Sequence, residues 1–468
     1  MSETNPDAAA GQAGPEADSE VPFGPTPELV RAVREALQDG RPGEVEALIA
    51  ELHPADIADL VEQLSGELRT RFLDVARHRI GPETLSHLDD SVREEVVDSL
   101  TPRQVAAAVQ ELDTDDAVDL LEDLDDEAAR RILDAVPAED RAFLEQGLTY
   151  PEDSAGRLMQ RELVAVPAHW TVGETIDFLR AKDDLPDDFY DLFIMDADHR
   201  PVGSVPLSRA IRSKRAVKLT AIMESELRSV PATMDQESVA YLFRQYGLVS
   251  APVIDEAGRL IGVVTVDDVV HVIEEETEED LMGLSGVGEA DFHAPALITA
   301  WRRMRWLIVT LINTLIASSV ISRFGATIEQ LVALAVLMPI VAAMGGNAGM
   351  QVVTVTVRAL ATRDLSPGSN VWRSVGKEMV VASINAAVFA LLMGAIAATW
   401  FHYPALGGVL AAATVVNMMW AGLAGTVIPM ALARMGLDPA IAAGPFLTTT
   451  TDVLGFFSFL GLATLFLV

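Results

Sequence analysis

Residues 447–468 read "LTTTTDVLGFFSFLGLATLFLV", and Asp452 is the one charged residue in the stretch. From Phe456 onward the run is apolar, long enough with its upstream flank at 441–446 to cross a bilayer, which takes about 20 residues. Four more stretches of this kind lie upstream, at 304–324, 328–361, 379–402 and 406–433, with the last at 441–467. A large buried helical core in a soluble protein is the competing reading. It fails because consecutive apolar runs of this length exceed what soluble helices carry. The expected architecture over 304–468 is therefore an α-helical transmembrane domain of five spans. Asp452 then falls near mid-bilayer, where a carboxylate costs about 2.5–3.5 kcal/mol on insertion scales. Either it holds a cation, or neighbouring threonine hydroxyls satisfy it.

Charge divides the chain in two. The 468 residues carry a formal net charge of −35, yet residues 301–468 sum to +4 and residues 1–300 to −39. Such an acidic region repels nucleic acid and attracts metal cations. The chain has no cysteine, so disulfides and thiolate metal sites are excluded. Residues 1–25, acidic and rich in Ala, Gly and Pro, lack a signal peptide's basic and apolar regions and read as a disordered tail. Eight of the nine Lys and Arg after residue 300 fall on one side of the predicted spans, Arg323 being the exception. The positive-inside rule makes that side cytoplasmic. This places the acidic region in the cytoplasm, the C-terminus outside, and the protein in the inner (plasma) membrane.

Two repeats organise the acidic region. Leu100, Leu112, Leu124, Val136 and Leu148 recur every twelve residues, the first four followed by a helix starter or breaker. Blocks such as "DTDDAVDLLEDL" read as short capped helices that must stack to bury their faces, giving an all-α superhelical domain over 26–149. Next, "LVAVPAHWTVGETIDFLR" (163–180) matches "LRSVPATMDQESVAYLFR" (227–244), and 191–211 matches 250–270. Each copy, 150–214 and 215–274, reads strand, helix, strand, turn, strand, helix. The pair resembles tandem cystathionine-β-synthase (CBS) domains, an α/β unit that implies regulation of an attached module and binding of an adenine nucleotide such as ATP. An acidic linker follows at 275–303. Across 264–284, Asp267, Glu275, Glu278 and Glu279 crowd one helical stretch, as either a solvated face or a divalent-cation site.

Within the second span, Pro339 and the run Gly345, Gly346, Asn347, Ala348, Gly349 weaken a helix. A break at that depth is tolerable only against protein or water, so the segment is expected to line a cavity; a helix-packing face of small residues is the alternative.

The motifs "MPIVAAMGGNAGMQ" (338–351), "RALATRDL" (358–365), "GLAGTVIPMAL" (422–432), "LDPAIAAGPF" (437–446) and "TTTDVLG" (449–455) resemble the MgtE family of magnesium channels and transporters. The resemblance covers nearly the whole chain after the tail. It implies a homodimer in the lipid bilayer with a pore between subunits, Asp452 holding Mg²⁺, and Gly345, Gly346, Asn347, Gly349, Thr448 and Thr449 lining it. It also implies regulatory Mg²⁺ sites drawn from Asp438, Asp267, Glu275, Glu278, Glu279, Asp115 and Asp119. The sequence departs from the family at Gly444, where some members carry a polar residue, and at the insertion 182–191. A magnesium-gated Mg²⁺ channel is thus the leading expectation. An ion-coupled carrier of Co²⁺ and Mg²⁺, or a non-conducting membrane sensor, would share these features. No nucleophile–base pattern, P-loop or catalytic metal spacing points to an enzyme.

Overall fold

In the computed structural model the described residues are 24–122, 124–182, 185–186, 188–284, 286, 296–363, 365 and 371–468. The tail expected at 1–25 falls almost wholly outside them, as do residues 285 and 287–295 of the linker.

Ten helices come first: α1 (Pro27–Gln38), α2 (Pro42–Ile49), α3 (Pro54–Gln63), α4 (Glu67–Ala76), α5 (Pro82–Ser86), α6 (Asp90–Ser99), α7 (Pro102–Glu111), α8 (Thr114–Glu122), α9 (Asp126–Leu133) and α10 (Ala138–Gly147). Five of them open on proline, whose missing N–H costs nothing in a first turn. Thr101 and Gln104 close a capping box on α7, and Asp125 caps α9. The twelve-residue repeat has a structural meaning: Leu100, Leu112, Leu124, Val136 and Leu148 sit at helix ends and pack on one shared apolar core. A second device recurs at 24 residues. Arg69 donates to the Leu64 carbonyl and pairs with Glu95; Arg93 donates to the Leu88 carbonyl and pairs with Asp119.

Two small three-stranded sheets follow. β1 (Val164–Pro167), α11 (Val172–Ala181), β2 (Asp191–Met195), β3 (Pro201–Pro206) and α12 (Leu207–Arg212) form the first copy, with β1 parallel and β3 antiparallel to β2. The second copy repeats the order in β4 (Val230–Pro231), α13 (Gln236–Tyr246), β5 (Ser250–Ile254), β6 (Leu260–Thr265) and α14 (Val266–Gly283). Helix α14 runs unbroken across the boundary drawn at 274/275, so the last helix of this copy and the start of the acidic linker are one element.

Among the described residues five helices are long and apolar enough to span a membrane: α15 (Ala296–Ser322), α17 (Ala333–Ala361), α18 (Val371–Trp400), α19 (Pro404–Arg434) and α20 (Pro439–Phe466), with the short α16 (Gly325–Gln330) between the first two. Compact units form around two centres: residues 24–235 with 250–264, and 236–249 with 265–468. Within the second, α19 is the most buried span, packing against α17, α18 and α20.

The break expected in the second span is absent. Helix α17 continues through Pro339 and the glycine run. Water is the competitor that opens glycine-rich helices in solution; without it, the backbone has no better partner than its own ladder. Two of the glycines serve packing. A Cβ on Gly345 would lie 2.1 Å from the Asn417 amide of α19, and one on Gly349 would lie 2.8 Å from the Leu447 side chain of α20.

Candidate functional site

Asp452 lies half-way along α20, about 20 Å from its first residue at 1.5 Å per residue. It borders a cavity of about 180 Å³ bounded by α15, α17 and α20, with Leu284 at the end of α14 and Met350 of α17 also on the wall. That volume is room for about six waters at roughly 30 Å³ each, the scale of one hydrated ion.

The wall's hydrogen bonding decides its chemistry. Thr448 Oγ1 donates to the Gly444 carbonyl at 2.9 Å, and Thr449 Oγ1 to that of Pro445 at 2.7 Å. Thr310 and Thr314 of α15 donate to the carbonyls of Trp306 and Thr310, at 3.2 and 2.9 Å. Asn313 Nδ2 reaches the Pro445 carbonyl at 3.3 Å. All four hydroxyl protons are thus spent on the main chain, leaving oxygen lone pairs for the cavity. No described residue donates a hydrogen bond to Asp452. The threonine hydroxyls do not satisfy the carboxylate, so a cation is the partner its surroundings suit.

Of the residues expected to line the path, Thr448 and Thr449 stand with Asp452 on this wall. Gly345 and Gly349 are buried between helices, Gly346 has open space beside it, and Asn347 is exposed on the flank of α17. The sequence reading missed Asn417. Wholly buried in mid-α19, it donates from Nδ2 to the Val341 carbonyl at 2.9 Å and wedges between Gly345 and Gly455; its Oδ1 has no hydrogen-bond partner among the described residues. Its signal, one amide in an apolar span, was present but faint beside a full charge.

At the start of α20, Asp438 caps the helix, accepting the Ala440 N–H at 2.7 Å. The end of α14 rests against this first turn, where a Cβ on Gly283 would lie 3.1 Å from Ile441. Asp280, not the expected Glu275, Glu278 or Glu279, is the half-buried carboxylate here. Burial, then Asp438, then Glu279 push its carboxyl above the ordinary range. Asp267, Glu275, Glu278 and Glu279 are exposed on α14. Among the acids expected in the superhelix, Asp115 is buried and Asp119 is paired with the structural Arg93. Among the described residues no three of His, Cys, Asp and Glu converge.

A larger cavity, about 1110 Å³, opens in the first unit. Val166, Pro167, Leu260 and Ile261 give it apolar walls; Arg161, Lys182 and Arg259 line it together with His199 and the carboxylates Asp140, Glu162, Asp196 and Asp255. Arg259 is neutralised by Asp255 at 2.6 Å, and Arg161 stacks on Phe143 at 4.0 Å.

A bundle of membrane-length helices around an acceptor-lined cavity, following a soluble acidic region, defines a multi-pass cation-transport protein. Residues 338–462 match the family model for MgtE, a divalent cation transporter; 52–153 match the MgtE intracellular N domain and 219–275 a CBS domain. The chain is 34% identical over 447 residues to the magnesium transporter MgtE of Thermus thermophilus, covering 94% of this chain and 98% of that one. It is 30% identical over 441 residues to the protein of the same name from Bacillus subtilis, with the same coverage. A solved cytosolic domain of the Mg²⁺ channel MgtE in complex with ATP is 34% identical, with a TM-score of 0.48, over 52% of this chain and 99% of that one. The chain belongs to the MgtE family of divalent cation transporters.

Proposed function

We propose that this protein conducts Mg²⁺ across a cell's inner membrane, and that Asp452 is the carboxylate that holds the ion in transit. The observation that carries the reading is the wall around Asp452: an ionisable group near mid-bilayer with no protein donor, among hydroxyls whose protons point elsewhere. Mg²⁺ dehydrates reluctantly and keeps most of its waters, so one carboxylate per chain with hydroxyl and carbonyl oxygens suffices, where a transition metal would seek His or Cys. The relatives named as magnesium transporters support the choice of cargo. Two copies related by a twofold axis would bring two Asp452 side chains to one path. Reconstituted Asp452→Ala should lose selective Mg²⁺ flux while still assembling; normal flux from a well-folded variant overturns the reading. Unitary currents decide for a channel over an ion-coupled carrier, and flux of any kind excludes a purely sensing role.

The acidic region then serves as the regulator, facing the cytoplasm, with the C-terminus outside. Asp438 lies close enough to Asp280 to help raise its carboxyl above the ordinary range, and a divalent cation between the two would relieve that repulsion and hold α14 against α20. Bound in this way, Leu284 closes over the cavity and flux stops as cytosolic Mg²⁺ rises. Glu275, Glu278, Glu279, Asp267 and Asp115 add further cation affinity in this reading, while Asp119 is held by Arg93. An adenine nucleotide suits the larger cavity: apolar strips for the base, Lys182 and Arg161 for the phosphates. Calorimetric titration of ATP against Lys182→Ala tests it; equal affinity in parent and variant excludes that cavity.

A further inference from the structure

Helix α17 ends at Ala361, and the chain reverses through Arg363, whose φ is +56°. The Arg363 N–H bonds the Leu360 carbonyl at 3.0 Å, and the Leu365 N–H returns to Ala359 at 2.9 Å. This is the left-handed helix ending that glycine ordinarily occupies, because a Cβ strains it. Leu365, buried, anchors the turn. An arginine in such a place needs a reason, and its side chain supplies one.

The Arg363 guanidinium lies 4.7 Å from the centroid of the Tyr241 ring and donates through Nη2 to Ser238 Oγ. Both partners belong to α13. That helix packs along α14, and Gln236 Nε2 donates to Glu276 of α14 at 3.0 Å. One strained residue therefore ties the end of the membrane helix α17 to the helix pair that carries the acidic cluster. This tie is separate from the direct contact of α14 with α20.

We propose that Arg363 is a positioning residue that transmits the state of α13 and α14 to α17. The inference rests on the reading of the acidic region as a Mg²⁺ sensor, and it adds a second route from sensor to pore. A movement of α14 toward or away from the membrane carries α13 with it. The Arg363–Tyr241 clasp converts that movement into a pull on α17, the helix that Asn417 locks to α19. The strained turn makes the coupling stiff, since the backbone there has little freedom to absorb the displacement.

The experiment compares closure by cytosolic Mg²⁺ in the full-length reconstituted protein and four variants. Arg363→Gly suits the backbone and removes the clasp, so loss of fold is not its expected effect. It should shift the Mg²⁺ midpoint upward about fivefold, with open-state flux unchanged. Tyr241→Leu should do the same, Tyr241→Phe should match the parent, and the double variant Arg363→Gly with Tyr241→Leu should show no further shift. Amide exchange over 236–246 should rise in Arg363→Gly and stay constant in α19. An unchanged midpoint in Arg363→Gly, or fully additive shifts in the double variant, overturns the proposal. A parent protein that does not close with Mg²⁺ overturns the sensor reading itself, and this inference with it.

Discussion

A carboxylate half-way along a membrane helix persists only when something shares its charge. Replacing Asp452 by Ala removes the acid of α20 (Pro439–Phe466); Mg²⁺ flux in liposomes should fall about a hundredfold or more, equivalent to about 3 kcal/mol of lost ion stabilisation. Asp452→Asn keeps the shape and loses the charge, and should be nearly as damaging. Flux within a factor of two of the parent would show that the charge is not what the ion meets. Asp438 needs a finer test because it also caps α20. Asp438→Asn retains the cap and Asp438→Ala costs about 1 kcal/mol of it. Regulation lost in both variants belongs to the charge; regulation lost only in Ala belongs to the cap. Asp280 predicts a pH dependence. Its carboxyl is raised in the folded protein by burial, then by Asp438 and Glu279. Ionising it therefore costs stability, a penalty absent below the ordinary carboxylate range and incurred in full once the pH passes the raised value. Acidification should thus fasten α14 to α20 as Mg²⁺ does, and Asp280→Asn should fasten it at every pH. Protease protection of the 275–284 segment that stays flat with pH would remove Asp280 from this role.

At the scale of elements, the glycines of α17 divide by what stands beside them. Gly345→Val forces its new side chain into the Asn417 amide, and Gly349→Val into Leu447; each should cost about 1–3 kcal/mol in thermal unfolding, as overpacked sites do. Gly346→Val meets nothing within 4 Å in its own chain and should fold normally. If Gly346→Val folds normally yet conducts poorly, the obstruction arises against a second copy, as a path between subunits requires. Equal conduction would leave α17 as a packing element only. Asn417 binds the three helices together from α19. Asn417→Leu removes both the Val341 bond and the orphaned Oδ1, so its effect on stability should be small, within about 1 kcal/mol.

For the whole molecule, the opposition between an acidic soluble region and a nearly neutral membrane domain sets the response to ions. A net charge of −39 over residues 1–300 repels itself, and divalent cations relieve that repulsion more effectively than the same ionic strength of monovalent salt. Full-length protein should become more compact and more protease-resistant with Mg²⁺ than with ionic-strength-matched K⁺. An equal response to the two salts would reduce the effect to screening. The arginine ladder of the superhelix limits where such ions can act, because Arg93 already holds Asp119 and Arg69 holds Glu95.

Whatever depends on composition and local period was legible along the chain. Five apolar runs became five membrane-length helices, two tandem copies became two like sheets, and the lone aspartate of the last apolar run borders a cavity. Hydropathy and repeat length are properties of neighbouring residues, so a string of letters carries them. The rest arises from packing between distant segments. That packing set Asp280 half-buried beside Asp438 at the start of α20 while Glu275, Glu278 and Glu279 stay exposed, because rotation about the helix gives each position its own surroundings. It turned the threonine protons inward to their own carbonyls, which no spacing reveals. It kept α17 intact through a run that would open in water, and it brought Arg363 to Tyr241 across 122 positions of chain. Convergence of this kind depends on which helices touch and at what rotation, and that is settled by packing between segments distant in sequence.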